Sequence, residues 1–178
     1  NKTKMVAERV LRSYADKIKV HSIRPATVCG LSPRMRLDVA VNLLTFQALE
    51  KGKITVLGGD QTRPNIHIKD MVNVYLHFLK NYKALEDGEY NAGFENISIL
   101  DIANMVRANI DCEIEILPSN DPRSYRQNSE KLLNTGFSKK HKVLDAILEI
   151  KEAHINGDLK DSDNFHTIKT MKKLLEAR

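Results

Sequence analysis

Short runs of apolar, often β-branched residues alternate along this chain with longer segments of helical periodicity. Residues 18–29 form the most apolar run; a helical pattern over residues 3–16 precedes it, and Gly30 ends it. A nearly continuous apolar strand is typical of a parallel sheet whose two faces are both covered by helices. The alternation therefore predicts an α/β fold with a largely parallel sheet.

The rest of the chain continues this alternation. Further strands are predicted at residues 54–57, 65–68, 89–92 and 113–117, and further helices at residues 129–135, 143–156 and 165–177. Three more helices are expected to begin at the N-cap residues Asp38, Asp70 and Ser98. Asp101 completes a capping box with Ser98, and Gly52 is expected to end the Asp38 helix. The inward stripe expected on the Asp70 helix consists of Val72, Tyr75, Leu76 and Leu79.

Composition argues against two classes of protein. No apolar run approaches the length of a membrane span, and neither the six histidines nor the two cysteines show zinc-ligand spacing. We therefore expect no membrane segment and no metal site. The cysteines, Cys29 and Cys112, lie far apart in the sequence, and we expect buried thiols in a reducing cytoplasm.

Four motifs follow one another along the first half of the chain. Lys4 precedes Ala7-Glu8 on the first predicted helix, and Arg-Pro-Ala-Thr-Val-Cys-Gly occupies residues 24–30. Arg-Pro-Asn-Ile-His-Ile-Lys-Asp occupies residues 63–70, and Gly-Glu-Tyr-Asn-Ala-Gly occupies residues 88–93. In this order and spacing, the motifs resemble the extended short-chain dehydrogenase/reductase family, specifically its NAD-dependent nucleotide-sugar epimerases and dehydratases. The resemblance extends to about residue 149.

The resemblance implies a doubly wound, Rossmann-like parallel sheet interwoven with a smaller α/β substrate domain. Residues 1–30 and 63–95 would be the remainder of an NAD-binding domain, and residues 31–62 and 96–178 a nucleotide-sugar domain. The resemblance also implies NAD or NADP as cofactor, a nucleotide-diphosphate sugar as substrate, a homodimer for the complete enzyme, and a cytoplasmic location.

Lys4 matches the lysine of the family's Tyr-x-x-x-Lys signature. In the family this lysine binds the nicotinamide ribose, and its charge lowers the pKa of the tyrosine that removes a proton from a sugar hydroxyl. Hydride then passes to NAD, and a transient 4-keto sugar forms. Counting back from Lys4 places the tyrosine one position before residue 1, and residues 1–178 contain no glycine-rich dinucleotide loop. We therefore expect a C-terminal portion of such an enzyme, inactive alone.

The resemblance also implies several binding residues. Pro25 and Thr27 match the strand end that passes the nicotinamide, although many epimerases have Asn in place of Thr27. Asn42 lies near a helix start, where the family meets the nucleotide diphosphate. Arg63 matches the arginine before the Ile-His motif, whose fork of N–H donors contacts the diphosphate.

A second group of candidate substrate residues follows the turn at Asp121-Pro122. Arg123, Tyr125 and Arg126 could close over a phosphate or a sugar. The family carries a substrate arginine in this region, and the sequence leaves open whether Arg123 or Arg126 corresponds to it.

The net charge of +5 leaves another interpretation open, a non-catalytic basic α/β module that binds nucleic acid or a protein partner. The lysines, however, are mixed with acidic residues, and the chain has five Tyr, five Phe and no Trp, which gives little support to a base-stacking surface. We therefore expect no nucleic-acid partner. Salt-sensitive binding to any polyanion would favour the module.

Overall fold

The fold comes from a computed structural model that describes residues 2–176. The helices are α1 (Lys2–Arg12), α2 (Ala40–Lys51), α3 (Ile68–Asn81), α4 (Ile99–Arg107), α5 (Glu130–Leu133), α6 (Val143–Ile155) and α7 (Thr167–Glu176), with a 3-10 helix at Asp163–Phe165. The strands are β1 (His21–Pro25), β2 (Thr27–Cys29), β3 (Lys53–Leu57), β4 (Thr62–His67), β5 (Gly88–Ala92), β6 (Glu95–Ser98) and β7 (Glu113–Leu117). The α/β prediction is confirmed; Ala177, in the last predicted helix, lies outside the described residues.

The described strands form three small sheets. β1 pairs in parallel with β5, β3 pairs in parallel with β7, and β4 lies between parallel β2 and antiparallel β6. The prediction of one strand over residues 18–29 is wrong, because the chain leaves the first sheet after Pro25 and enters another at Thr27. Between them, the Ala26 N–H donates to the Ala92 carbonyl (2.8 Å). We call this point, residues 25–27, the sheet junction.

Helices α1 and α3 lie on opposite faces of the β1–β5 pair, although α1 buries no side chain. The ring of His21 lies 5.4 Å from the ring of Phe78 on α3, and Ile23 packs on the same apolar cluster. Arg24 points the other way and pairs with Glu8 of α1 (2.6 Å). Since neighbouring residues of a strand point to opposite faces, this part of the chain is a helix–sheet–helix sandwich.

The outer layers of this sandwich leave apolar faces uncovered. The α3 residues expected to face inward are exposed instead, and this prediction is wrong: Val72, Tyr75, Leu76 and Leu79. The buried residues of α3 are Asp70, Met71, Val74 and Phe78. Both sides of the helix are apolar, so periodicity alone did not select the side that meets the sheet. The exposed apolar residues of α1 are Met5, Val6, Val10 and Leu11.

The remaining core packs β3 against α2, α4 and α6, and Val41, Ile54, Ile102 and Ile147 are among its fully buried residues. A smaller cluster beside it includes Leu37 and Ile150. None of the helices within residues 2–176 has the length and apolarity needed to cross a bilayer.

The helix ends test the capping predictions. Ser98 caps α4 by accepting from the Asp101 N–H (3.0 Å), as predicted. Gly52 ends α2 in the left-handed conformation (φ 60°), also as predicted. Asp38 does not cap α2; its carboxylate pairs with Arg36 (2.8 Å), and Val39 precedes the helix without a side-chain cap.

Asp70 lies buried in the first turn of α3 and is not its cap, so that prediction is also wrong. Its carboxylate accepts from the backbone N–H groups of Lys140 (3.0 Å) and His141 (2.9 Å) and from His141 Nδ1 (2.9 Å). His67 caps the helix instead, accepting from the Lys69 N–H (3.1 Å). Burial opposes ionisation of Asp70, but the donors from the 140–141 loop outweigh it and lower its pKa.

Replacing Asp70 with Asn should reduce the free energy of unfolding by about 2–4 kcal/mol at pH 7, because an amide places N–H groups against the loop donors. Since the folded-state pKa lies below the ordinary value of 3.8, this stability is present above that value and is lost as the pH falls below it. Urea unfolding at pH 7 and at about pH 3 should therefore show the difference between the two proteins shrinking in acid. Asp60→Asn, at an exposed site, is the control; an equal loss in that variant, or an unchanged gap at both pH values, would contradict this account.

Candidate functional site

The direction of α1 determines where Lys4 lies. Glu8 contacts Arg24 near the end of β1, while Arg12 contacts Glu89 near the start of β5, so α1 runs antiparallel to these strands. Lys4 comes one turn before Glu8, roughly 6 Å further along the helix axis. Lys4 is exposed, and its place on the helix lies beyond the Glu8–Arg24 contact, toward the carboxyl end of β1.

Three other predicted residues lie at the sheet junction, where β1 ends and where β2 and β4 begin. Pro25 ends β1 and pairs with Ala92, and Thr27 begins β2 and pairs with Asn65 of β4. Arg63 precedes Asn65 by two residues on β4. Because Asn65 pairs with Thr27 in a parallel register, Arg63 is level with Pro25, at the sheet junction. The change of sheet thus brings the predicted cofactor residues and the predicted diphosphate arginine to one place.

The irregular segment at residues 118–129 packs against the sheet junction. The Tyr125 N–H donates to the Thr62 carbonyl (3.3 Å), and the Thr62 N–H donates to Ser124 Oγ (3.1 Å). Gln127 Nε2 donates to the Arg24 carbonyl (2.9 Å). These bonds fix the segment to both sheets, and with it the arginines that the segment carries.

The Arg63 guanidinium is fixed by hydrogen bonds that use some, but not all, of its five N–H donors. Nη1 donates to the carbonyls of Thr62 (3.1 Å) and Arg123, and Nη2 donates to Asp121 Oδ2 (3.0 Å). The Tyr125 ring centroid lies 5.6 Å from the guanidinium carbon. Among residues 2–176, Nε–H and one N–H of Nη2 have no partner, although arginine carries five such donors. The guanidinium is thus held in place by three bonds while two of its N–H groups are left for an anion such as a phosphate or carboxylate.

Arg123 meets the same carboxylate from the other side. Its Nε and Nη2 donate to the two Asp121 oxygens (2.7 Å each), and its backbone N–H donates to Oδ1 (3.1 Å). The Arg123 side chain is 76% exposed, whereas that of Arg63 is 14% exposed. Hydrogen bonds from Arg123, aided by the charge of Arg63, lower the pKa of Asp121 far below its usual range. Sequence reasoning did not single out Asp121; the only signal was its place in an Asp-Pro-Arg turn.

The structure separates the two arginines that the sequence left open. Arg123 shares Asp121 with Arg63, while Arg126 lines a neighbouring cavity of about 460 Å³ together with Gly93, Asn96 and Lys139. Which of the two contacts a substrate stays a prediction.

Asn42 lies apart from this group. Its Oδ1 accepts from the Gly30 N–H (3.0 Å), its Nδ2 donates to the Arg36 carbonyl (3.0 Å), and the side chain is buried. Gly30 follows the end of β2, where the pairing partner is His67, so it is roughly 16 Å from Arg63 along β4. The structure does not bring Asn42 together with Arg63, and its contact with a diphosphate stays a prediction.

Comparison with known proteins identifies the family. The sequence profile of the NAD dependent epimerase/dehydratase family matches residues 1–93. The chain belongs to this family. The sequence-based resemblance is therefore confirmed, and NAD is the cofactor that the family name specifies.

Solved structures agree with this assignment. The chain is 28% identical to the UDP-glucuronic acid 4-epimerase of Bacillus cereus, whose structure contains UDP-glucuronic acid and NAD; the match covers 84% of this chain and 51% of that one, with a TM-score of 0.67. The UDP-N-acetylglucosamine 4-epimerase of Bacillus cereus (20% identity, 89% and 53% coverage, TM-score 0.71) shares the fold. So does an L-threonine 3-dehydrogenase from a metagenome (17% identity, 88% and 55% coverage, TM-score 0.74).

These matches have two consequences. The chain spans about half the length of the solved relatives. The names of the relatives include both sugar-nucleotide epimerases and an amino-acid dehydrogenase, so likeness of fold does not choose a substrate. The Rossmann-like α/β architecture is confirmed, and the choice of substrate depends on the residues of the site.

Replacing Gly93 with Ala should destabilise the sheet junction by about 1–3 kcal/mol, because this glycine has no room for a side chain. A Cβ there would lie 2.6 Å from the Ala26 Cβ and would clash with Gln127 Oε1. Ser129 Oγ holds the same residue, donating to its carbonyl (2.8 Å) and accepting from its N–H (3.0 Å). Chemical denaturation measures the loss, and Gln127→Ala added to Gly93→Ala should recover only part of it. A Gly93→Ala protein as stable as the parent would show that the junction is looser than described.

Proposed function

We propose that this chain is the C-terminal portion of an NAD-dependent epimerase or dehydratase that acts on a nucleotide-diphosphate sugar through a transient 4-keto intermediate. Family membership supports the class of enzyme. The nucleotide sugar is supported by a solved relative that is 28% identical, whose structure contains UDP-glucuronic acid. Epimerisation and dehydration share the 4-keto stage, and both remain within the proposal.

The observation that carries the proposal is the half-used guanidinium of Arg63. Two carbonyls and Asp121 fix its orientation, yet Nε–H and one Nη2–H are free to bind both oxygens of a phosphate. Arg63 lies at the level of the sheet junction, so a diphosphate bound to it would lie near Pro25 and Thr27. Because the donors are fixed before binding, little side-chain entropy is lost when the ligand arrives.

The residues at the junction fit one end of NAD. When bound, this cofactor accepts a hydride and returns it. Lys4 offers an ammonium donor at the carboxyl end of β1, and the half-buried hydroxyl of Thr27 offers a second group. Pro25, exposed at the end of its strand, lies against the same space. We propose these three for the nicotinamide ribose side, with Lys4 lowering the pKa of the family's tyrosine.

We further propose that residues 1–30 and 63–95 serve cofactor binding and residues 31–62 and 96–178 serve the substrate. In this arrangement Arg63 lies at the boundary between the two, and Arg123, Tyr125 and Arg126 approach from the substrate side. Asn42 remains a proposed contact through its helix. The complete enzyme is proposed to be a homodimer in the cytoplasm, in keeping with the free thiols of Cys29 and Cys112.

The 178-residue chain alone is proposed to lack turnover and dinucleotide affinity. The apolar faces of α1 and α3 are uncovered, and β1 has a partner on one side only among the described strands. A sandwich in this condition offers no continuous surface for a dinucleotide, and its open faces favour association.

Replacing Arg63 with Lys should weaken binding of UDP-glucuronic acid to this chain about tenfold, since an ammonium cannot supply the planar fork. Isothermal titration calorimetry on both proteins gives the two dissociation constants. Arg107→Lys is the matched control, because Arg107 is exposed on α4 and bonds only to Asn104 among described side chains.

The same titrations separate the proposal from the basic-module interpretation. Under the proposal, UDP-glucuronic acid binds, NAD does not, and Arg63→Lys acts selectively. Equal weakening by Arg107→Lys, or binding of a single-stranded oligonucleotide in preference to the sugar nucleotide, would favour the module instead.

A further inference from the structure

Asp121 holds an unusual position between two arginines. Its oxygens accept from Arg63 Nη2 (3.0 Å), from Arg123 Nε and Nη2 (2.7 Å each) and from the Arg123 backbone (3.1 Å). Asp121 therefore bridges two guanidinium groups, an arrangement in which arginines also bind a phosphate. The pair of arginines and their acid together carry one net positive charge instead of two.

We propose that Asp121 is an internal counter-anion that sets how much ligand charge this site accepts, a role that rests on the proposed function. With Asp121 in place, the site favours a nucleotide-diphosphate sugar over free polyphosphates. Both phosphates of such a sugar are esterified and carry one charge each, whereas inorganic pyrophosphate ionises further near neutral pH.

Charge compensation, not support of Arg63, is the distinctive contribution of Asp121. Arg63 would keep its Nη1 bonds to the Thr62 and Arg123 carbonyls and its contact with the Tyr125 ring if the acid were neutralised. No other carboxylate contacts Arg63 among the described residues. Asp121 is therefore the one residue among those described that places a negative charge against Arg63.

Arg123 is the partner that can be released. Its guanidinium is 76% exposed, and its bonds to Asp121 span only two residues of an irregular segment. A ligand phosphate can take over these donors with movement of one surface side chain. Asp121 then remains bound to Arg63, and Arg123 binds the ligand, so Asp121 acts as a positioning residue through both arginines.

Replacing Asp121 with Asn should therefore tighten binding of inorganic pyrophosphate by about tenfold and of UDP-glucose, whose only negative charges are those of its two esterified phosphates, by only about threefold, because the added positive charge favours the more highly charged anion. Isothermal titration calorimetry at fixed ionic strength and pH 7.5 measures both constants. Asp121→Glu, which keeps the charge, should resemble the parent. Asp163→Asn, which removes a surface partner of Lys173 and changes the net charge equally, should alter neither constant.

A second variant tests the charge sum directly. Arg123→Ala alone should weaken pyrophosphate binding, and adding Asp121→Asn to it should restore binding to near the parent value. A merely structural Asp121 predicts the reverse, with each substitution weakening binding further. That result, unchanged or weaker pyrophosphate binding in Asp121→Asn, or no pyrophosphate binding by any of these proteins, would overturn the inference.

The outcomes also separate this inference from the proposed function. If the parent chain does not bind UDP-glucuronic acid, the proposed function fails, while the pyrophosphate titrations still decide the role of Asp121. If the sugar nucleotide binds through Arg63 but Asp121→Asn leaves the ratio of the two constants unchanged, the proposed function stands and the inference fails.

Discussion

The change of sheet at residues 25–27 is the constraint on which the site depends. One hydrogen bond, from the Ala26 N–H to the Ala92 carbonyl, accompanies the passage from the β1–β5 pair to the sheet of β2, β4 and β6. Because the two sheets meet there, the end of β1 lies next to the starts of β2 and β4. Gly93 can have no side chain at this point, since Ala26 and Gln127 occupy the space.

Electrostatics at the junction follow from this geometry. Thr62 and Arg63 begin β4, and the segment at residues 118–129 is bonded to them through main-chain and side-chain donors. Asp121 is thus brought against Arg63, and Arg123 follows it by two residues. A largely buried arginine, an exposed arginine and one acid together carry one net positive charge. This combination suits an anion of modest charge that is recognised by geometry.

Local features of the fold could be predicted from the sequence, and long-range ones could not. The capping box of Ser98 and Asp101 spans four residues, and the left-handed Gly52 ends its own helix, so both were readable from neighbouring residues. The partners of Asp70 are 70 and 71 residues away in the sequence, so no local pattern predicts them. The same applies to the break of the strand at Ala26, which depends on a carbonyl of a later strand.

The candidate site shows the same division. Motif order pointed to Lys4, Pro25, Thr27 and Arg63; the structure places Pro25, Thr27 and Arg63 at the level of the sheet junction, and Lys4 lies one helical turn before Glu8, the partner of Arg24. Asp121 escaped notice because its partner Arg63 is 58 residues distant and the Asp-Pro-Arg turn is common in loops. The inward face of α3 was assigned wrongly because both of its sides are apolar, and only the sheet decides between them.

The central claim is that the Nε–H of Arg63 donates a hydrogen bond to a phosphate oxygen of the ligand. Nitrogen-15 NMR of the arginine-labelled chain observes this group directly, with the Arg63 signal assigned by its absence in an Arg63→Lys protein. Addition of UDP-glucuronic acid should shift the Arg63 Nε–H resonance downfield, as expected for a new charge-assisted hydrogen bond, and leave that of Arg107 unchanged. An Arg63 signal that stays in place while the ligand binds would contradict the account.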